Sequence, residues 1–143
     1  MNRILPEQVR AQVQMFWNIL SGTSKHSLDQ LYAPDAIVFT GRSKRPEPAA
    51  LAAARRMRQF SSSSPGLAAE VGEIDVQVVD DVAIASYVYQ FHEIKKKGDG
   101  SRQEKTTRFG RATQIFRGGE AGKLLIVHEH LSAGEAPEVS TRG

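Results

Sequence analysis

The sequence predicts an α+β protein, and three features carry that reading. Residues 6–20 repeat apolar side chains at helical spacing, and an alanine-rich stretch follows before residue 61. From about Ala69 the period falls to two and stays there almost to the end. The chain has 143 residues, 40% hydrophobic and 24% charged, which suits one domain around one core. Helices first and strands after is the α+β pattern, with the helices expected on one face of a curved, mostly antiparallel sheet.

The elements follow in order. Pro6 suits the first turn of "PEQVRAQVQMFWNIL", and Glu7 lies favourably against the helix dipole. Val9, Val13, Phe16 and Leu20 form the apolar stripe, and Gly22 is the stop. "SLDQLY" reads as a second, shorter helical piece ended by Pro34, and "AIVFT" as a short strand. Pro46 and Pro48 open a third helix, "AALAAARRMRQF", whose alanines favour it, and "SSSSPG" closes it. "EVGEIDVQVV" and "VAIASYVYQFHEI" are strands joined at Asp80–Asp81. After the polar turn "KKKGDGS", "QEKTTRFGRATQIFR" and "KLLIVHEHLS" are long strands joined by "GGEAG". Gly110 in mid-strand predicts a bend or bulge. Residues 1–134 are read as one domain and 135–143 as a disordered tail.

Composition narrows the chemistry. Without cysteine there are no disulfides, thiolate nucleophiles or Cys-ligated metal sites. "MNRILPEQVR" lacks the apolar core of a signal peptide and no run could span a bilayer, so no membrane contact and a cytoplasmic location are expected. A net charge of +3 is too small to imply nucleic acid. The basic loops "IKKKGDGSRQEK" and "GRSKR" have little aromatic interleaving and read as solvated turns. No cofactor is expected. In the strands, neighbours such as Leu124–Leu125, Ile126–Val127 and Val78–Val79 are both apolar, so both sheet faces need cover. One layer of helices covers one face; a homodimer through the sheet covers the other.

The stretch "IVHEHLSAG" carries the densest polar chemistry. Strand alternation sets His128 and His130 on one face with Leu124 and Ile126, and Glu129 on the other with Leu125, Val127 and Leu131. A metal would need a third ligand on the histidine face, and His26 and His92 lie in unrelated segments, so no metal is expected. Alternation also puts Arg111 with Thr113 and Ile115, and Gln114 with Ala112 and Phe116. Tyr87 and Tyr89 share a face with Ala85 and Phe91, either as core or as pocket wall. Trp17, beside Val13 and Leu20, carries the same two readings.

"LDQLYAPDAIVFTG" after a first helix, then "VVDDVAIASYVYQF", then "GRATQIFRGGEAGKLLIVHEHLSAG", resembles the NTF2-like superfamily over residues 6–134. The likeness is strongest to SnoaL-like proteins and to the calcium/calmodulin-dependent protein kinase II association domain. It implies a cone-shaped, cystatin-like α+β fold with about three N-terminal helices, a pocket inside the cone, and a homodimer or ring through the outer sheet face. By that resemblance Tyr89, Glu129 and Leu131 face the interior, and the two histidines face the partner side. The ketosteroid isomerase positions fall on Met15 or Phe16, on Thr40, and near Ala112 or Thr113, which cannot supply that chemistry. The association domain's pocket arginines fall on Tyr89, Gln114 and Leu131, leaving a less cationic, more aromatic pocket.

The expectation is a small-molecule binder whose pocket includes Trp17, Tyr87, Tyr89, Gln114 and Leu131, with Glu129 as candidate acid or base. Glu129 alternatively forms an ion pair with Arg111 or another basic residue of the adjacent strand. His128, His130 and Arg111 are read as structural or interface residues. The competing class is a non-catalytic oligomerisation module.

Overall fold

The computed structural model describes residues 3–22, 26–40, 43–61, 68–96 and 103–134; the expected tail and residues 41–42 and 97–102 of the two basic loops lie outside them. Helix α1 (Pro6–Leu20) has Pro6 in its first turn, and Val9, Val13, Phe16, Trp17 and Leu20 are buried. The Leu5 N–H donates to Gln8 Oε1 at 3.0 Å, which satisfies an orphan amide at the helix start. Gly22 at φ +80° ends it, since a left-handed residue stops the helix without a Cβ penalty.

The expected second helix is a single 3-10 turn, Leu28–Leu31, so the described residues hold two α-helices rather than three. Strand β1 (Tyr32–Phe39) begins four residues earlier than the sequence suggests, through Pro34. A short strand β2 (Glu47–Pro48) leads into helix α2 (Ala49–Ser61). The expected strand over 70–79 divides into β3 (Ala68–Val71) and β4 (Asp75–Val79), both antiparallel to β5 (Val82–Lys96). Strands β6 (Gln103–Gly118) and β7 (Leu124–Gly134) complete the meander.

Sheet order is β2-β1-β7-β6-β5-β3, with β4 also on β5. The β1–β7 pair is parallel, so the sheet is mixed. Helices α1 and α2 cover one face; there Ala83, Ala85, Tyr87, Ala112, Gln114, Phe116, Ile126, Glu129 and Leu131 are buried. Gln12 Nε2 donates to the Leu124 carbonyl at 2.8 Å and ties α1 to the start of β7.

Two irregularities shape the inner face, and neither is where the sequence suggests. The β5–β6 ladder runs unbroken through Tyr89↔Gly110, so Gly110 is no bulge. It makes room: a Cβ there would stand 2.1 Å from Tyr89 Cζ. The bulge lies in β7, where Phe116 pairs Ile126 and Ile115 pairs His128, leaving Val127 unpaired. This reverses the alternation expected there. Leu124 and Ile126 point inward with Glu129 and Leu131, whereas a regular strand would have turned them out with the histidines.

Gly110→Ala is expected to destabilise the fold by about 1–3 kcal/mol, the usual range for overpacking. In a Tyr89→Ala background the same change should be near neutral. Urea unfolding of the four proteins in a double-mutant cycle measures the difference.

Candidate functional site

The inner face carries a closed polar cluster built from six elements. Its centre is Glu129, fully buried on β7, just past the bulge that brings it inward. Arg56 Nη1 donates to Glu129 Oε1 at 2.5 Å. The Tyr32 hydroxyl lies 3.0 and 2.8 Å from the two carboxylate oxygens. Gln114 Nε2 donates to Oε2 at 2.7 Å. Behind Gln114, its Oε1 accepts from the Tyr87 hydroxyl at 2.7 Å, and that oxygen accepts from Trp17 Nε1 at 3.0 Å. Arg56 Nη1 also reaches the Tyr32 oxygen at 3.0 Å.

The basic partner of Glu129 comes from a helix, not from the adjacent strand. Arg111 is exposed on the opposite sheet face and takes no part. Ala49, Ala52, Ala53 and Arg56 follow the i, i+3, i+4, i+7 spacing of one helix face, and all four are buried. The neighbouring Arg55 points outward and holds Glu47 of β2 through two bonds of 3.1 and 2.6 Å. Consecutive arginines thus clamp α2 on both sides: one to the sheet edge, one to the core.

Tyr32 and Arg56 were missed by the sequence reading, which placed Tyr32 at a helix end. Arg56 had a legible signal, a cation on the alanine stripe of an amphipathic helix. The other expected residues are distributed as follows. Trp17, Tyr87 and Gln114 join the cluster, and Leu131 is buried near it on the inner face. Tyr89 is half-buried and packs on Trp17 with ring centroids 4.4 Å apart. His128 and His130 lie on the outer face, where both contact the Phe39 ring, with centroids 6.1 and 5.5 Å away. Among the described residues no group of three His, Asp or Glu side chains could hold a metal. No helix among them is long and apolar enough to cross a membrane.

Electrostatics follow from burial. Burial pushes the Tyr32 hydroxyl well above its ordinary range; the Glu129 carboxylate adds to this and Arg56 opposes it. Burial also raises Tyr87, against the pull of the Trp17 N–H. Tyr89 is raised by burial in the same direction. For Arg56 burial alone would lower the guanidinium, but the Glu129 carboxylate and Tyr32 reverse this and hold it above the usual arginine range. Its Nη2 is buried and has no hydrogen-bond partner among the described residues.

A groove of about 740 Å³ lies at the other end of β5 and β6. It is lined by Glu70, Val88, Tyr89, Gln90, Phe109 and Arg111 over the backbone of Gly110 and Gly134. Tyr89 is shared: it walls the groove and packs on Trp17, where the hydrogen-bond chain begins.

This combination of two helices on a curved mixed sheet, with a polar cluster on the covered face, is the NTF2-like, cystatin-like fold. No protein-family model and no curated protein sequence matches the chain. Solved structures do. One, provisionally described as a calcium/calmodulin dependent protein kinase II association domain from Xanthomonas campestris, has a TM-score of 0.70 and 23% identity and covers 97% of each chain. Another, provisionally described as an NTF2-like family dehydratase from Streptomyces avermitilis, has a TM-score of 0.75 at 14% identity, covering 91% of this chain and 96% of that one. The S. rosetta CaMKII hub has a TM-score of 0.70 at 16% identity, over 93% and 100% of the two chains. At these identities the likeness is one of fold.

Removing one partner of the buried pair leaves an unpaired buried charge, so Arg56→Met should cost about 3–5 kcal/mol. Arg56→Met with Glu129→Gln should recover at least half of that loss in chemical denaturation.

All three tyrosines of the chain are held protonated by the fold. Below pH 10, the ordinary tyrosine value, folded and unfolded chains bind the same tyrosyl protons. Above it only the unfolded chain loses them, so stability falls as pH rises, by about 1.4 kcal/mol per pH unit for each of Tyr32 and Tyr87. Absorbance at 295 nm should therefore show tyrosinate appearing together with loss of circular dichroism, not before it.

Proposed function

We propose that this protein binds a small, partly apolar molecule in the groove walled by Tyr89, the residue that links the groove to Trp17 and the buried Arg56–Glu129 cluster behind it. The observation that carries this reading is the position of Tyr89. It lines the groove and packs on the residue that starts the hydrogen-bond chain to the buried ion pair. A pocket with one apolar wall and a few fixed polar groups is the usual form of a small-molecule site. In this reading Glu129 is the common acceptor that aligns Tyr32, Arg56 and Gln114. Acid–base work by Glu129, of an isomerase, cyclase or dehydratase type, would require one of those three donors to leave first.

A second reading, self-association through the outer sheet face, has its own support. Paired across β1, β7, β6 and β5 on that face are Ile37, His128, Ile115 and Ile84 in one row and Phe39, His130, Thr113 and Ser86 in the next. Ile37 is 43% exposed and Val88 58%. An exposed apolar sheet face of this kind marks an interaction site. A homodimer through the Ile37, His128 and Ile115 part of that face, away from the groove, is compatible with ligand binding, in a cytoplasmic protein without a cofactor.

The two readings separate with the uncharged fluorescent probe N-phenyl-1-naphthylamine. Saturable binding with energy transfer from Trp17, the only tryptophan, is expected. Tyr89→Ala should weaken it about tenfold and leave the oligomer mass unchanged. Ile37→Glu, on the outer face and away from the groove, should lower the mass in light scattering and leave probe affinity unchanged. A probe that binds without Trp17 transfer, or equally well to Tyr89→Ala, would sink the ligand reading.

A further inference from the structure

We propose that the groove takes an apolar monocarboxylate, and that Arg111 is the side chain that reads its carboxylate. The proposal rests on the ligand reading above and names the charged group of that ligand.

Strand register lays out the groove. Two neighbouring rows cross the outer sheet face. One runs Ser132, Arg111, Val88, and ends at Gly72, whose N–H donates to the Val88 carbonyl at 2.9 Å. The next runs Gly134, Phe109, Gln90, Glu70. All of these except Ser132 line the groove. Arg111 has Val88 beside it across the ladder and Phe109 two residues along its own strand, so two apolar side chains border the cation. Glycine leaves the corners next to them open. A Cβ on Gly72 would stand 3.0 Å from Val88 Cγ2. The volume of about 740 Å³ is within the range of small-molecule sites.

Charge decides between the two ionised groups of the groove. Glu70 already accepts a hydrogen bond from Gln90 Nε2. The Arg111 guanidinium is exposed and has no hydrogen-bond or ion-pair partner among the described residues. The two groups lie two strands and one row apart, about 12 Å between Cα atoms on ordinary strand spacings. That exceeds the screening length of about 8 Å at physiological salt, so Glu70 leaves the Arg111 charge in place. A planar fork of donors matches a carboxylate bidentately. Because the fork is exposed, the carboxylate keeps part of its hydration while the apolar body of the ligand covers Val88 and Phe109.

The test uses 2-naphthoate, 2-naphthamide and 2-naphthylmethylammonium, which share one apolar body and differ in charge, titrated calorimetrically into the wild-type chain at low salt. Naphthoate should bind about three- to fivefold more tightly than naphthamide, the upper range for an exposed charge pair, and the ammonium should bind most weakly. Added salt should shrink the preference. Arg111→Gln should bring the ratio of naphthoate to naphthamide affinity to one. Should that variant fail to fold, nitrogen-15 arginine side-chain spectra of the wild type report the same contact: the Arg111 resonance should move with naphthoate and stay with naphthamide. Equal binding of naphthoate and naphthamide overturns the proposal. So does a preference that survives Arg111→Gln, an Arg111 resonance that ignores naphthoate, or tightest binding by the ammonium. If none of the three binds while N-phenyl-1-naphthylamine still does, the proposal fails alone; if that probe fails too, the ligand reading fails with it.

Discussion

The Glu129 carboxylate is the point on which the rest of the structure closes. It is fully buried, and an isolated buried carboxylate is among the costliest groups a core can hold. The cost is met by donors from three other elements: Tyr32 from β1, Arg56 from α2 and Gln114 from β6. Each can reach Glu129 only if its own element is correctly placed. The carboxylate therefore couples the packing of helix α2, the parallel strand β1 and the meander into one condition. A buried ion pair of this kind adds little net stability over apolar side chains of the same volume. What it adds here is a fixed arrangement, because any slip of β1 or α2 leaves a charge without a partner.

Direction in the network is set from its far end. The Trp17 indole can only donate, so the Tyr87 oxygen must accept from it. The Tyr87 proton then goes to Gln114 Oε1, which fixes the amide so that Nε2 faces Glu129. One donor-only group on α1 and one acceptor on β7 thus determine every polarity between them. Helix α1, which makes no direct bond to Glu129, is in register with it through this chain. The raised position of Tyr87 keeps its proton available for the link across the neutral range.

Much of this was legible in the sequence, and the losses have local causes. The helical stripe of α1, the strand period after Ala69 and the grouping of Gln114 with Ala112 and Phe116 follow from side-chain spacing, whereas the inward placement of Glu129 followed from the resemblance. The bulge at Val127 does not. A single unpaired residue reverses alternation, and "LLIVHEHL" carries no glycine to mark it. Glu129 reached the inner face as expected, but its neighbours on that face are Ile126 and Leu124 rather than Val127 and Leu125. Gly110 misled in the opposite way: it looks like a kink, yet it exists for the Tyr89 ring across the ladder. The partner of Glu129 was sought on the adjacent strand, because strand pairing is visible in sequence. Arg56 lies 73 residues away on a helix, and only the tertiary fold brings them together.

The same geometry separates two chemistries that the stretch "HEH" first suggests together. The histidines stand on the outer face against Phe39, half-buried and exposed, on the side available to a second copy of the chain. The glutamate between them faces inward and has every donor it needs. A carboxylate that serves as general base must offer an oxygen to the proton it takes. Glu129 offers both oxygens to the protein instead. The group in the cluster with capacity to spare is its partner, because Arg56 has a second nitrogen with no hydrogen-bond partner among the described residues.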